Sequence, residues 1–484
     1  MGSCSLTTLR EGLAAGDLSA EQLAWGCLER MDRHEGLLNA IVHRDPERTL
    51  GAARAADARL ARGERGAMLG IPVVLKDNLH WQGVPVGNGS RICAGYTAPY
   101  DATVVRRLLE AGAVPVAKAN MDEFAMGSSG EHSAFGATRN PWDRSRVPGG
   151  SSSGAVVAVA AGYAPFALGT DTGGSVRLPG SFCNVTALRP SYGVLSRYGA
   201  TAMASSLDQV GPVAGSAEDL AAGFSVLAGS DPLDATSVAL PGAERLAELR
   251  PASLKGLRIG LPKEYFGAGI EPGVRACLES ALAALAAEGA ELVEVSLPHT
   301  AYAIDTYYLI STSEVASNLS RFDGVRFGRR EPGESLQGML EATRDLGFGT
   351  EAKRRILLGT FCLSRGYYEA FYLKALKTRT LIARDFRDAF AAVDVLATPV
   401  CPHPAFKLGE RTADPLAMYL SDLFTVTPAL AALPALAMPA GFTGPLPVGL
   451  QLIAPALGDL KLLEIAHAFQ QITRHHLQAP PLES

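Results

Sequence analysis

The sequence carries little charge for its length and has no long block of one sign. Of its 484 residues 19% are charged, with 44 Lys and Arg against 49 Asp and Glu, which gives a net charge of −5. Basic residues cluster only in short groups such as Lys353-Arg354-Arg355. Proteins that bind nucleic acid on their own neutralise phosphates with clustered cations. The composition therefore argues against autonomous nucleic-acid binding.

Cysteines are few and scattered. The sequence has seven, an odd number, at positions 4, 27, 93, 183, 277, 362 and 401, and none forms a CxxC pair or the spacing of a zinc site. A disulfide framework and a structural zinc site are thus both disfavoured. We expect reduced, mostly buried thiols, a cytoplasmic location and no metal.

A long uninterrupted apolar run is also missing. The longest apolar stretch, residues 423–442, contains Pro428, Pro434 and Pro439. A membrane-spanning helix needs about 20 consecutive apolar residues, and prolines interrupt its hydrogen bonding. We expect a soluble protein without membrane association.

Short apolar runs alternate with helical patterns along the chain. The run Ile71–Leu75 ends in Lys76-Asp77-Asn78, and a helix that we expect Asp101 to cap and Gly112 to end precedes a strand at 114–117. Such alternation predicts an α/β fold with a mixed or mostly parallel sheet covered by helices. The same pattern returns later, in strand-like 257–261, helix-like 272–288, and strand-like 291–295 and 393–397.

The N-terminal region, about residues 5–60, is predicted to be helical. Ser19 and Gln22 have the spacing of a capping box, in which each side chain bonds a free backbone N–H of the other. No low-complexity linker or internal repeat divides the chain. We therefore predict a single large domain spanning residues 1–484.

Residues 145–193 differ from the rest because two serines stand among glycines. One group is Gly149-Gly150-Ser151-Ser152-Ser153-Gly154, and the second is Asp171-Thr172-Gly173-Gly174-Ser175-Val176-Arg177. Glycines let backbone N–H groups converge on one point, as in an anion cradle or an oxyanion hole. A serine beside such a point is a candidate nucleophile, although glycine-rich turns without function are common.

Two other kinds of site fit this segment poorly. A P-loop reads GxxxxGK[ST], and residues 145–193 contain no lysine. A histidine-based serine hydrolase places its nucleophile in G-x-S-x-G, which surrounds neither Ser151 nor Ser175, and the segment contains no histidine. A base must come from elsewhere in the chain.

These two glycine–serine groups together resemble the signature of the amidase signature family. The resemblance implies an α/β amidase signature fold, a large mixed sheet with helices on both faces, and a signature core at about 65–215. It also implies a triad of nucleophile Ser175, Ser151 in a cis peptide, and Lys76, with an oxyanion hole from the backbone of Thr172, Gly173, Gly174 and Ser175. We expect Asp171 and Arg177 to orient the loop by hydrogen bonds.

Physical chemistry supports such a triad independently. Serine is a weak nucleophile at its ordinary pKa and needs an adjacent base. A lysine that is desolvated in a glycine-lined pocket can lose its proton near neutral pH. Lys76 is the candidate base, and Ser151 would relay the proton from Ser175 to it.

Within that family, the chain resembles the glutaminase subunits of tRNA-dependent amidotransferases over nearly its whole length. The resemblance implies that glutamine is bound by Ser128, Arg355, Asp422 and a tyrosine best aligned to Tyr307, with Tyr308 adjacent. A fixed cation and a fixed anion suit the carboxylate and ammonium groups of free glutamine. The segments that carry this resemblance are 120–129, 205–212, 320–324, 353–361 and 418–422.

The narrower resemblance also implies partners. In those enzymes a second protein, the B-type subunit, binds the misacylated tRNA and uses ATP and Mg²⁺, while a small third protein, the C-type subunit, completes a heterotrimer. We expect this chain to bind no cofactor. Its role would be to supply ammonia for the conversion of Glu-tRNA(Gln), Asp-tRNA(Asn) or both. A stand-alone amidase acting on small amides and a catalytically silent scaffold protein remain alternatives.

Overall fold

One large β-sheet runs through the protein. The computed structural model describes residues 5–267 and 269–482. The eleven strands of the sheet lie in the order β1-β3-β2-β4-β6-β5-β10-β11-β9-β7-β8. Their bounds are β1 Ile41–His43, β2 Pro72–Lys76, β3 Val114–Ala119, β4 Phe166–Asp171, β5 Thr186–Arg189, β6 Gln209–Ala214, β7 Arg258–Pro262, β8 Glu291–Val295, β9 Val395–Pro399, β10 Ala435–Thr443 and β11 Leu446–Ile453.

The sheet is mixed. Strand β2 runs parallel to both β3 and β4, and β7 runs parallel to β8 and β9. The strands between these two groups, from β4 to β9, pair antiparallel. Strands β2, β3 and β4 are buried along their whole length, as strands covered on both faces are.

Helices pack around this sheet. Helix α5 contacts β2 and β4, α6 contacts β10 and β11, and α7 contacts β6. The helices are α1 Leu6–Ala15, α2 Ala20–Leu38, α3 Pro46–Ala61, α4 Thr103–Glu110, α5 Ser153–Ala160, α6 Arg177–Cys183, α7 Ala217–Leu227, α8 Pro272–Ala287, α9 Ala303–Asn318, α10 Leu336–Gly347, α11 Thr350–Leu363, α12 Lys374–Phe390, α13 Pro415–Leu420, α14 Leu423–Leu430 and α15 Asp459–Ile472. The predicted α/β class with a large mixed sheet is confirmed.

The N-terminal region is helical except for one short strand. Ser19 accepts from the N–H of Gln22 at 3.0 Å, and the Gln22 side chain accepts from the N–H of Ser19 at 2.9 Å, so the predicted capping box is confirmed. Between α2 and α3 the chain adds β1 to the edge of the sheet, beside β3. The sequence pattern did not predict this three-residue strand, which is too short to show a period.

The predicted helix cap at Asp101 is wrong. Helix α4 begins at Thr103 with Ala102 at the N-cap and no capping side chain. The Asp101 carboxylate instead accepts from the backbone N–H of Gln82 at 2.7 Å. A short polar side chain near a helix start can serve a neighbouring loop as well as the helix.

No helix in the described ranges is long and apolar enough to cross a bilayer. Six cysteines are free, and the seventh, Cys4, lies outside the described residues. The single-domain assignment for residues 1–484 stays a prediction.

Candidate active site

Lys76, the last residue of β2, is fully buried among hydroxyl groups. Its Nζ lies 2.8 Å from Ser151 Oγ, 2.9 Å from Ser152 Oγ and 2.9 Å from Thr170 Oγ1. The carbonyl of Thr170 is more distant, at 3.4 Å. Strand β4 runs parallel beside β2 and ends in this same region, so the sheet itself brings Thr170 to the lysine.

Burial lowers the pKa of Lys76 from 10.5 to about 7, and the charges of Asp122, Asp171 and Asp208 oppose only part of that shift. Desolvation penalises the charged form of a buried group. A large fraction of Lys76 is therefore the neutral amine near pH 7, and an amine has the lone pair that a base requires.

Ser151 lies at the junction between the glycine turn and α5. The peptide bond between Gly150 and Ser151 is cis, as the family resemblance implied. The next residue, Ser152, donates its backbone N–H to the carbonyl of Ser175 at 3.0 Å. This bond holds the two glycine–serine groups together, so the backbone of Ser175 lies beside Ser152, the neighbour of Ser151.

The loop that carries Ser175 is held by a buried ion pair. The Asp171 carboxylate accepts hydrogen bonds from Arg177 Nε at 2.9 Å and Nη2 at 2.8 Å. It also accepts a hydrogen bond from the N–H of Gly174 at 2.8 Å. Burial by itself raises the pKa of Asp171, but the charges of Arg177 and Arg189 outweigh it and lower this pKa to about 2. Asp171 is thus ionised near pH 7, and its hydrogen bonds to Arg177 and Gly174 orient the loop, as expected.

The structure narrows the choice of oxyanion donors. Of the four predicted residues, Gly174 already donates its N–H to Asp171. The N–H groups of Thr172, Gly173 and Ser175 are the ones that the loop can offer without breaking that bond. Ser175 itself is buried, with 8% of its surface exposed.

Two glycines of this loop are required by close neighbours. A methyl group at Gly173 would lie 2.6 Å from the phenol oxygen of Tyr307, and one at Gly174 would lie 2.3 Å from Thr425 Oγ1. Gly174 also has a φ of 143°, which side-chain-bearing residues rarely adopt. Tyr307 and Thr425 therefore form the wall that faces the nucleophile loop.

Two of the other candidate glutamine-binding residues contact each other. Ser128 Oγ donates to Asp422 Oδ2 at 2.5 Å, and the Tyr308 hydroxyl lies 3.3 Å from the same oxygen. Burial raises the pKa of Asp422 to about 7, against the opposing effects of Ser128 and Arg355. The two adjacent tyrosines have different neighbours: Tyr307 contacts the Ser175 loop, and Tyr308 contacts Asp422.

Arg355 is 3% exposed, although the sequence pattern also allowed an exposed helix face. Its Nε donates to Glu351 Oε1 at 2.8 Å, and its guanidinium carbon lies 5.1 Å from the ring centre of Tyr308. Burial alone lowers the pKa of Arg355, but Tyr308 and Glu351 raise it above the ordinary value. Arg355 is a fixed cation, and Tyr308 contacts both its guanidinium and the carboxyl group of Asp422.

Sequence reasoning missed several residues of this site. Ser152 and Thr170 surround Lys76, and Asp208 accepts the Thr172 hydroxyl at 2.7 Å. Glu351 accepts a hydrogen bond from Arg355 Nε, and Tyr419 donates its hydroxyl to Glu351. Only Glu351 gave a usable signal, since an acid four residues before an arginine on a helix faces it.

The site holds no cluster of metal-binding side chains. Within residues 5–267 and 269–482, no group of three or more His, Cys, Asp or Glu side chains is placed to hold a metal ion.

A family model described as Amidase matches residues 23–463, so the chain belongs to the amidase family, and the predicted membership is confirmed. Over 467 residues, 96% of each chain, it is 54% identical to the A-type subunit of glutamyl-tRNA(Gln) amidotransferase from Moorella thermoacetica. It is similar to the crystal structure of the A-type subunit of the same enzyme from Thermotoga maritima, with 40% identity, a TM-score of 0.79, and coverage of 95% of this chain and 94% of that one. The native peptide amidase of Stenotrophomonas maltophilia is also similar, with 30% identity, a TM-score of 0.83 and 99% coverage of both chains.

Proposed function

We propose that this chain is the glutamine-hydrolysing subunit of a tRNA-dependent amidotransferase. The observation that carries the proposal is the presence of two features that meet at Thr425, which lies against Gly174 and bonds the Asp422 carbonyl. One is a buried, hydroxyl-coordinated Lys76 beside Ser151 and the Ser175 loop, which suits amide cleavage. The other is a fixed cation and a carboxylate, Arg355 and Asp422, which match the two charges of free glutamine.

In the proposed reaction, Ser175 Oγ forms a bond to the side-chain carbonyl carbon of glutamine. Its proton passes through Ser151 to the neutral amine of Lys76. The developing oxyanion accepts hydrogen bonds from the backbone of Thr172, Gly173 and Ser175, each worth about 3 kcal/mol in such sites.

The proton then returns through Ser151 to the leaving nitrogen, the carbon–nitrogen bond breaks, and ammonia departs. Water attacks the glutamyl ester that remains, again giving its proton to Ser151 and Lys76. The ester bond breaks, Ser175 regains its proton, and glutamate leaves. The sum is one glutamine and one water converted to one glutamate and one ammonia.

The hydrogen bonds around Lys76 suit this direction of proton flow. Ser152 Oγ donates its only hydrogen to the Thr170 carbonyl at 2.9 Å, so toward Lys76 it acts as an acceptor. The amine therefore donates one N–H to Ser152 Oγ. This bond favours an orientation in which the lone pair of the amine points toward Ser151. Thr170 Oγ1, which accepts from Asn78 at 3.1 Å, completes the surroundings of the amine.

The rest of the assembly belongs to the proposal as well. The B-type subunit would bind the misacylated tRNA and use ATP and Mg²⁺, and the small C-type subunit would complete a cytoplasmic heterotrimer. The product would be Gln-tRNA(Gln), with Asn-tRNA(Asn) as a second product where Asp-tRNA(Asn) is available. The similarity to the amidotransferase protein of Moorella thermoacetica over 96% of each chain supports this assignment.

Ser175→Ala tests the nucleophile. We expect glutamine hydrolysis to fall by about 10⁴-fold or more, because removing a serine nucleophile leaves only binding and the oxyanion hole. Ser153→Ala is the matched control, since Ser153 is a buried neighbour whose hydroxyl bonds Thr138 at 3.1 Å. Undiminished hydrolysis by the Ser175→Ala protein would rule out this nucleophile.

Reconstitution tests the role. The chain should form a complex with the B-type and C-type proteins of its own organism, and this complex should amidate Glu-tRNA(Gln) or Asp-tRNA(Asn) with glutamine, ATP and Mg²⁺. A chain that cleaves simple amides rapidly and forms no complex is a stand-alone amidase. A complex that forms but does not hydrolyse glutamine shows a scaffold.

A further inference from the structure

Arg355 and Asp422 carry opposite charges, and both must stay unpaired to bind glutamine. Opposite charges in a low-dielectric pocket attract strongly, and a direct ion pair between them would neutralise both groups that glutamine needs. No such ion pair forms in the described part of the chain. Each charge must therefore be held in place by other residues.

Asp422 is held from its own side. Ser128 and Tyr308 both bind its Oδ2. Its backbone carbonyl accepts the Thr425 hydroxyl at 3.0 Å, which ties the residue to the start of α14. These bonds fix the orientation of the Asp422 carboxyl group.

Arg355 is held by Glu351, one turn earlier on α11. Glu351 is 6% exposed and binds Nε of Arg355 at 2.8 Å, while Oε1 also accepts the Tyr419 hydroxyl at 3.0 Å. Burial raises the pKa of Glu351, but Arg355 and Tyr419 outweigh this and lower it below the ordinary value, so Glu351 stays a carboxylate. Its position in the first turn of α11 also suits an acid.

The geometry leaves one edge of the guanidinium free. Glu351 uses Nε, whereas neither Nη atom of Arg355 has a protein acceptor among residues 5–267 and 269–482. The Tyr308 and Tyr419 rings, stacked at 3.8 Å, lie against the guanidinium and restrict its rotation. A guanidinium fork of this kind binds a carboxylate through two parallel hydrogen bonds.

We infer that Glu351 is the positioning residue for α-carboxylate recognition: it binds the Nε side of Arg355 and presents the Nη edge to the carboxylate of free glutamine. The inference rests on the proposed function, because it assumes that the pocket takes free glutamine. Tyr419 supports Glu351 and has a smaller effect of the same kind.

The test uses the complex reconstituted with the B-type and C-type proteins. We expect Glu351→Gln to raise KM for glutamine by about tenfold to a hundredfold, the range of a lost charge-assisted hydrogen bond, while kcat stays within about threefold. Two competing amides show whether the change in KM arises at the α-carboxylate. Inhibition by 4-aminobutanamide, which lacks the α-carboxylate, should be unchanged, and inhibition by glutaric acid monoamide, which keeps a carboxylate, should weaken with KM.

Tyr419→Phe should raise KM by about threefold. The control is Arg354→Gln, which removes an exposed partner of Glu351. Its KM should be close to that of the original protein. An unchanged KM in Glu351→Gln, or equal weakening of all three ligands, overturns the inference. If Glu351→Gln does not fold, an unchanged KM in Tyr419→Phe overturns it. A complex that does not hydrolyse glutamine before any substitution overturns the proposed function instead.

Discussion

Two fully buried lysines lie near the ends of neighbouring parallel strands, and their surroundings differ. Lys76 on β2 contacts three hydroxyl groups, whereas Lys118 on β3 donates to the carbonyls of Leu79 and Asp77 and lies 3.9 Å from the Asp77 carboxylate. Burial lowers the pKa of both, to about 7 for Lys76 and about 8 for Lys118.

The difference lies in what the neighbours can do with a proton. Carbonyl and carboxylate oxygens near Lys118 only accept hydrogen bonds, so they hold the ammonium in place. Hydroxyl groups near Lys76 both donate and accept, so a proton can pass through them. Desolvation alone therefore does not make a lysine a base, because the groups around it must also be able to carry the proton.

Replacing each lysine by methionine separates the two roles most strongly. Lys76→Met should reduce kcat for glutamine hydrolysis by about 10³-fold or more, because Ser175 loses its base. We expect thermal unfolding to show a stable fold, since methionine fills a buried site that had disfavoured charge. Residual activity within tenfold of the original would show that another group is the base.

The pH dependence should show two titrating groups. The pKa of Lys76 is lowered to about 7, so its neutral form accumulates above pH 7, and the pKa of Asp422 is raised to about 7, so its carboxylate also accumulates above pH 7. Well below pH 7, kcat/KM should therefore fall about a hundredfold per pH unit as both groups take up protons.

The Asp422→Asn protein removes one of those groups, and its kcat/KM should fall only about tenfold per pH unit. Its absolute kcat/KM at pH 8 will be lower, because the anion that faces the ammonium group of glutamine is lost. The slopes come from kcat/KM measured between pH 5 and 8. Equal slopes in the two proteins would contradict the assignment of Asp422.

Ser152→Ala tests the hydroxyl surroundings of Lys76. Loss of the acceptor at 2.9 Å should leave the amine less well oriented, and we expect kcat to fall about tenfold with KM unchanged. Steady-state kinetics beside Ser153→Ala measures this. An effect equal to that of Ser153→Ala would mean that orientation by Ser152 is unimportant.

Lys118→Met should have the smallest effect on catalysis. We expect kcat within about threefold of the original, while the free energy of unfolding falls by about 3 kcal/mol because Asp77 loses its buried counter-charge. Urea denaturation followed by circular dichroism gives the stability. A loss of activity as large as that of Lys76→Met would abolish the distinction between the two lysines.

Much of the fold was predictable because apolar runs and turn residues report local structure directly. Strand β8, Glu291–Val295, has the predicted bounds, and β2, β3, β7 and β9 lie within two residues of theirs. Local patterns did not reveal the sheet order, in which β5 lies beside β10 although some 246 residues separate them. Nor did they predict that Asp101 would bond a loop instead of a helix.

The candidate site was predictable where residue types are chemically unusual, as in the two glycine–serine groups and the lysine at a strand end. Residues that act by supporting others gave less signal, because Ser152, Thr170 and Tyr419 are ordinary in their local context. Tyr307 and Tyr308 are neighbours in sequence, and only their contacts in the fold distinguish them, Tyr307 with Gly173 and Tyr308 with Asp422. The roles of all these residues stay predictions until they are measured.

The hydrogen bonds that support the nucleophile loop extend to β11, some 274 residues further along the chain. Arg177, which holds Asp171, donates through Nη1 to Gln451 on β11 at 2.7 Å, and Gln451 also bonds Thr398 on β9. During synthesis the ribosome therefore produces Ser175 long before it produces the residue that fixes its loop. A nascent chain carries the reactive serine without this support, so hydrolysis of cellular glutamine should begin only after β11 has been synthesised.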